Sequence, residues 1–260
     1  MSGQDSNSDR SCYYFYFGLI VTGKGEQEHI TKLFSSLISS GICTFEVIRF
    51  IGQRNPQSKK PKLKMVGSGK TIPDKDANEI GITARKYLNQ KPNPECRYVI
   101  LLDDLEYSRV NIARDVFDRY RQALDTILKE QKNRASVHFL VNMLEAYYFA
   151  DAAAINAVLE TSLTDYEGDV ETIRHPKGEL KKLYPNFREV RDGGEILDYL
   201  DVEKVLSNPD TCASLRTLFA WCLNVLEKYS FPGCFTRSPN KYCLENGKLS
   251  EITSHQLNEL

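Results

Sequence analysis

Apolar residues fall in four short runs, each halted abruptly by polar residues or glycine. Residues 13–21, Tyr-Tyr-Phe-Tyr-Phe-Gly-Leu-Ile-Val, are aromatic and aliphatic almost throughout, a pattern that suits a strand buried on both faces. Residues 44–51, 97–102 and 136–141 are the other three predicted strands. Between them the period changes to that of a helix. Residues 26–39 place Ile30, Leu33, Phe34 and Leu37 on one stripe, with Gly41 as the stop. Residues 76–89 are helical after Pro73, and 110–131 carry Ile112, Val116, Phe117, Tyr120, Leu124 and Ile127 at helical spacing. A further helix is predicted over 145–159. Strands alternating with helices imply right-handed crossovers and a mostly parallel α/β sheet with flanking helices. Residues 52–75 are polar, with Gly and Pro, and read as a loop. Beyond about residue 160 the pattern becomes short helices and loops with no further strand. The expected organisation is a polar tail over 1–11, an α/β domain over 12–159 and a helical C-terminal region over 160–260.

Composition narrows the function classes. The 260 residues are 41% apolar, enough for a full core, and the net charge is −1. Near-neutrality argues against coating nucleic acid by bulk charge, though it allows a local basic groove. No stretch approaches the roughly 18 apolar residues of a membrane span, so no membrane partner is expected. The first ten residues lack a basic start followed by an apolar stretch, so no secretory signal is expected. Seven scattered cysteines without a C-x-x-C pair read as reduced thiols of a cytoplasmic protein.

The candidate chemistry lies where the strands stop. The first strand runs into Gly23-Lys24-Gly25-Glu26 and the third into Asp103-Asp104-Leu105-Glu106. In an open parallel sheet, ligands bind outside the carboxyl ends of the strands. Two such ends side by side gather carboxylates, which must share protons or hold a cation. Oxygen-ligated Mg²⁺, or Mn²⁺, suits such a set. Glu26, Asp103, Asp104 and Glu106 are the candidate ligands, with Glu26, Asp104 and Glu106 as the catalytic set. Simpler roles exist for each. Acids such as Glu26 and Glu28 are favoured in the first turn of any helix, and paired aspartates can cap a turn. Strand alternation would make Asp103 rather than Asp104 the ligand in the opposite register. Glu145 lies in an apolar, aromatic segment, where a buried carboxylate needs a partner, or else it starts a helix. Lys59, Lys60, Lys62 and Lys64 form the main basic concentration, fit to hold a phosphate backbone or simply to be solvated. Residues 67–71 imitate a phosphate loop, but Lys64 stands where its first glycine is required.

These residues resemble a known module. A strand, a G-x-G-E turn, a helix, a strand and then a strand ending in Asp-x-acid is similar to a TOPRIM domain, the metal-binding α/β unit of topoisomerases, primases and overcoming-lysogenisation-defect nucleases. The closer resemblance is to a TOPRIM-like family of bacterial proteins. It rests on residues 23–26, on 101–106, on Val141-Asn142-Met143-Leu144-Glu145-Ala146-Tyr147-Tyr148-Phe149-Ala150-Asp151, and on His175-Pro176-Lys177-Gly178-Glu179-Leu180. Together these span roughly 13–185. The resemblance implies a Mg²⁺-dependent nuclease acting on DNA or RNA and an association with an ATPase in anti-phage defence. Beside the metal, Glu145 as a buried carboxylate and Lys177 as a cation for a phosphate or for the acids are candidates for supporting roles, a solvated surface being the simpler reading of Lys177. Two departures stand out. Val21-Thr22-Gly23 replaces the usual Val-Glu-Gly, and Asp104-x-Glu106 replaces Asp-x-Asp. The first departure supports a second expectation, a catalytically degenerate subunit that binds a partner such as an ATPase.

Overall fold

The computed structural model describes residues 11–51, 74–235, 241–244 and 247–257. Four strands, β1 (Phe15–Val21), β2 (Cys43–Phe50), β3 (Arg97–Leu105) and β4 (Ala135–Val141), form one sheet in the order β2-β1-β3-β4, and every pair is parallel. The class is therefore α/β, with helices on both faces and a helical C-terminal part. β3 is buried along its whole length, as a central parallel strand must be. It also runs further than its apolar residues alone predict. Asp103, Asp104 and Leu105 stay in register with Phe139, Leu140 and Val141 of β4.

The helices are α1 (Lys24–His29), α2 (Ser35–Ile38), α3 (Asp74–Leu88), α4 (Tyr107–Val110), α5 (Ala113–Leu128), α6 (Ala152–Leu159), α7 (Pro176–Leu183), α8 (Glu189–Tyr199), α9 (Val202–Ser207), α10 (Ala213–Tyr229) and α11 (Ser250–Leu257). The predicted helix over 26–39 is divided into α1, a 3-10 segment Ile30–Phe34 and α2. Its apolar stripe is kept, since Ile30, Leu33, Phe34 and Leu37 are all buried. The predicted helix over 145–159 is a 3-10 segment, Leu144–Ala150, followed by α6.

Alternation along the strands sorts two cores. Phe15, Phe17, Leu19, Tyr98, Ile100 and Leu102 pack on one face with residues of α6, α8 and α10, whereas Ile20, Val99, Leu101, Val137 and Phe139 pack on the other with residues of α3, α5 and α11. The helices beyond residue 160 thus share a core with the sheet, and α10 is buried almost throughout, with Trp221 at its centre. The cysteine expectation is corrected at one pair. Cys12 and Cys96 form a disulfide, because each lies just before one of two adjacent parallel strands, with Tyr16 opposite Arg97. Cys43, Cys212, Cys222, Cys234 and Cys243 are free. Among the described residues no helix is long and apolar enough to cross a membrane.

Candidate functional site

The carboxyl ends of β1 and β3 adjoin, because Val21 pairs with Leu102. What each side chain does there follows from the face it occupies. Asp103 belongs to the face of Leu101 and Leu105. It accepts a hydrogen bond from Thr22 Oγ1 at 2.8 Å and is paired with Arg109, and all three residues are buried. Thr22 Oγ1 also accepts from the Asp104 backbone N–H at 3.0 Å, so one hydroxyl ties the two strand ends together. Burial alone would weaken the Arg109 charge, but the adjacent Asp103 carboxylate holds its pKa above the usual value. Asp103 is therefore an internal counter-ion. Thr22 is part of the same lock.

Asp104 points to the opposite face and meets a second cluster. Glu26 reaches it from the first turn of α1, Glu145 from the 3-10 segment after β4, and Lys177 from α7. Glu26, Asp104 and Glu145 are each less than 5% exposed. Burial pushes the Glu26 and Glu145 carboxyls up to about 7. Burial also holds the Asp104 carboxyl well above the usual carboxylate range, helped by repulsion from Glu26 and Glu145. Lys177 Nζ lies 2.8 Å from Glu189 Oε1 and 3.6 Å from Glu145 Oε1. Burial opposes its charge, but Glu145 and Glu189 keep it protonated. Leu144 N–H donates to Asp104 Oδ1 at 3.1 Å, fixing that aspartate against the turn after β4. Glu26 Oε2 and Glu145 Oε2 are buried with no hydrogen-bond partner. An orphaned carboxylate oxygen in the interior costs on the order of 1–3 kcal/mol or more, so each oxygen is suited to take a proton or a cation.

Gly23 is required for space rather than for backbone conformation. Its φ is −97°, which any residue adopts, but a Cβ there would stand 1.4 Å from Glu26 Oε2. The G-x-G-E turn is thus shaped around the glutamate that it positions.

The structure brings together Glu26, Asp104, Glu145 and Lys177 from the predicted set. Asp103 is turned to the other face. Glu106 precedes α4 and lines a separate cavity of about 340 Å³ with Tyr107, Asn142 and Arg174. Lys59, Lys60, Lys62 and Lys64 lie outside the described residues. Sequence reasoning missed Glu189 and Tyr148. Tyr148 is buried, and the Glu145, Glu26, Asp104 and Glu189 carboxylates all act to keep its hydroxyl protonated, after burial itself. Glu189 starts α8 and has no sequence signal beyond an acid in a first turn. Among the described residues no group of three or more His, Cys, Asp and Glu side chains stands ready to hold a metal ion, and Lys177 supplies the positive charge beside the cluster instead. What the cluster does share with a Mg²⁺ site is the donor type, oxygen. It offers buried carboxylates from three separate elements, two of them with an oxygen to spare.

A family model described as Domain of unknown function (DUF4276) matches residues 21–221, most of the chain, and the chain belongs to that family. No curated protein and no solved structure matches it. Glu26, Asp104, Glu145, Lys177 and Glu189 all lie within the matched span.

Proposed function

We propose that this member of the DUF4276 family is a divalent-metal-dependent phosphodiesterase acting on nucleic acid in the cytoplasm, serving as a TOPRIM-like effector in anti-phage defence alongside an ATPase. One observation carries the hydrolytic reading. Three buried carboxylates from α1, β3 and the turn after β4 converge at the carboxyl ends of parallel strands, two of them with unpartnered oxygens. Glu26 and Asp104 would hold the ion, which supplies Lewis acidity at the phosphoryl group when bound. Glu145, with a pKa raised by burial to about 7, is matched to accepting a proton from an attacking water at neutral pH. Lys177 offers its N–H groups to a phosphoryl oxygen and balances the cluster when no substrate is present. Asp103, Arg109 and Thr22 hold the backbone from which Asp104 projects.

A second reading has its own support. Thr22 stands where the resembling nucleases carry glutamate and is engaged with Asp103, while Lys177 already neutralises part of the acidic cluster. That is the chemistry of a non-catalytic subunit that binds a partner such as an ATPase.

Calorimetric titration with Mn²⁺, together with hydrolysis assays on single- and double-stranded DNA and RNA, separates the two. The parent is expected to bind Mn²⁺ and to cleave in Mg²⁺ or Mn²⁺, with both activities lost on chelation. Asp104→Asn should lose both. Without metal it should unfold at the same or a higher temperature, because burial and the neighbouring carboxylates disfavour a charge at this position, which the amide never carries, and the amide oxygen can still accept from Leu144 N–H. Mn²⁺ binding by the variant equal to the parent's would refute the site, and a parent that binds no ion would favour the subunit reading.

A further inference from the structure

The residues that follow β3 and β4 enclose the cavity of about 340 Å³, within the size range of small-molecule sites. Its wall includes Glu106, Tyr107, Ser108, Asn142, Arg174 and His175. Tyr107 is 44% exposed, and the Arg174 guanidinium lies over its ring, 4.6 Å from the centroid. Asn142 is buried. Its Nδ2 donates to the Glu171 carbonyl at 2.8 Å, while its Oδ1 has no partner. Asn142 and Met143 hold φ of 58° and 80°, two successive non-glycine residues in the left-handed region. Such backbone is costly and is kept where the surroundings fix it, often at ligand sites. The same turn joins this cavity to the carboxylate cluster, since Leu144 N–H binds Asp104 and Glu145 follows directly. On the other wall Glu106 is two residues past Asp104, about 7 Å at strand rise.

We propose that this cavity takes one unpaired base of a single-stranded nucleic acid, stacked on the Tyr107–Arg174 pair, while the adjoining phosphate reaches the Glu26–Asp104–Glu145 cluster. The proposal rests on the phosphodiesterase reading and names its substrate as single-stranded. A flat aromatic ring and a flat guanidinium offer stacking surfaces that every base can use. The Glu106 carboxylate and Asn142 Oδ1 are hydrogen-bond acceptors suited to the N–H groups of a base edge. Arg174 and His175 also line the cavity, and their side chains can meet the phosphate that follows the base. A base held in a duplex is paired and stacked, and its edge is not free to enter.

The test uses the full chain and a single-stranded oligonucleotide carrying one 2-aminopurine, in EDTA, so that binding is read without hydrolysis. The parent is expected to bind it with a change in 2-aminopurine fluorescence. Tyr107→Ala should bind about tenfold more weakly and lose that change, and Tyr107→Phe should retain both. A strand of equal length that is abasic at every position should bind the parent about tenfold more weakly and should not distinguish parent from Tyr107→Ala. Equal binding by parent and Tyr107→Ala, equal binding of the abasic strand, or no binding by the parent overturns the subsite. Hydrolysis by a parent that fails this test would leave the phosphodiesterase standing. Tyr107-dependent base binding by a protein that never hydrolyses would do the reverse.

Discussion

Thr22 shows how one side chain sets the register of the site. Its hydroxyl donates to Asp103 and accepts from the Asp104 N–H, so it bridges β1 to β3 where their side chains diverge to opposite faces. Thr22→Val keeps the shape but takes from the buried Asp104 N–H its hydroxyl acceptor and from Asp103 Oδ1 one of its two donors, Arg109 being the other. Such losses cost on the order of 1–3 kcal/mol, so urea denaturation is expected to show a loss of that size. A variant as stable as the parent would deny the bridge its role. The neighbouring Gly23 makes the complementary case. Gly23→Ala puts a methyl where the Glu26 carboxylate lies, and the flexible glutamate must turn away. Its expected signature is weakened Mn²⁺ binding with a melting temperature close to the parent's. Unchanged Mn²⁺ affinity would mean that Glu26 is not a ligand. Both roles were half legible in the sequence. The G-x-G-E turn was visible, but a threonine reads as a missing glutamate until its partner Asp103 is placed on the other face.

At the scale of elements, period predicted the four strands and the helices between them, because a parallel sheet buried on both faces leaves long apolar runs. The run in β3 was cut short in prediction by its own carboxylates. Asp103 and Asp104 interrupt the apolar pattern, yet both stay in the ladder because Arg109, Thr22 and the Leu144 N–H satisfy them. α10 was lost among the short helices predicted for the C-terminal region, since a helix apolar on nearly every side carries little amphipathic signal. Its start shows what replaces that signal. Cys212 precedes it at φ 61°, and its first turn is held from outside the helix by Glu171. Glu171 Oε1 accepts from Ser214 N at 2.8 Å and from the Tyr147 hydroxyl at 3.1 Å, and Oε2 accepts from Ser214 Oγ. Burial pushes the Glu171 carboxyl up to about 7, with Asp169 adding to it. A carboxyl raised in the folded state favours folding most below its unfolded pKa of about 4.5. That contribution declines as the pH rises and is gone above about 7. The stability of the parent relative to Glu171→Gln is therefore expected to fall between pH 4.5 and pH 7 and to level off above it. Urea midpoints of the pair at pH 5 and pH 8 measure this, and a constant difference would show that Glu171 stays ionised throughout.

For the whole molecule, the sequence suggested an α/β domain ending near residue 159 and a helical region beyond it, and the packing gives the two parts a common core. Leu215, Leu218, Phe219, Trp221, Leu223 and Leu226 of α10 are buried in the cluster that contains Phe17, Tyr98 and Ile100 of the sheet. Trp221 meets the rings of Phe17, Tyr98 and His138, each within 6.3 Å. The segment after α10 closes the unit, with Cys12 N–H donating to the Tyr229 carbonyl and Phe231 N–H to that of Cys12. Burying a large apolar side chain contributes roughly 1.5–3 kcal/mol. Loss of these six from α10 alone is comparable with a whole net stability of about 5–15 kcal/mol. The site has the same dependence, since Lys177 lies beyond residue 159 and balances carboxylates that sit before it. A fragment of residues 11–159 is therefore expected not to fold. It should give no cooperative urea transition, poor amide dispersion and no Mn²⁺ binding, in contrast to the full chain. A fragment that unfolds cooperatively and binds Mn²⁺ would show that the sheet and its carboxylates form an independent unit, with the C-terminal helices as an addition to it.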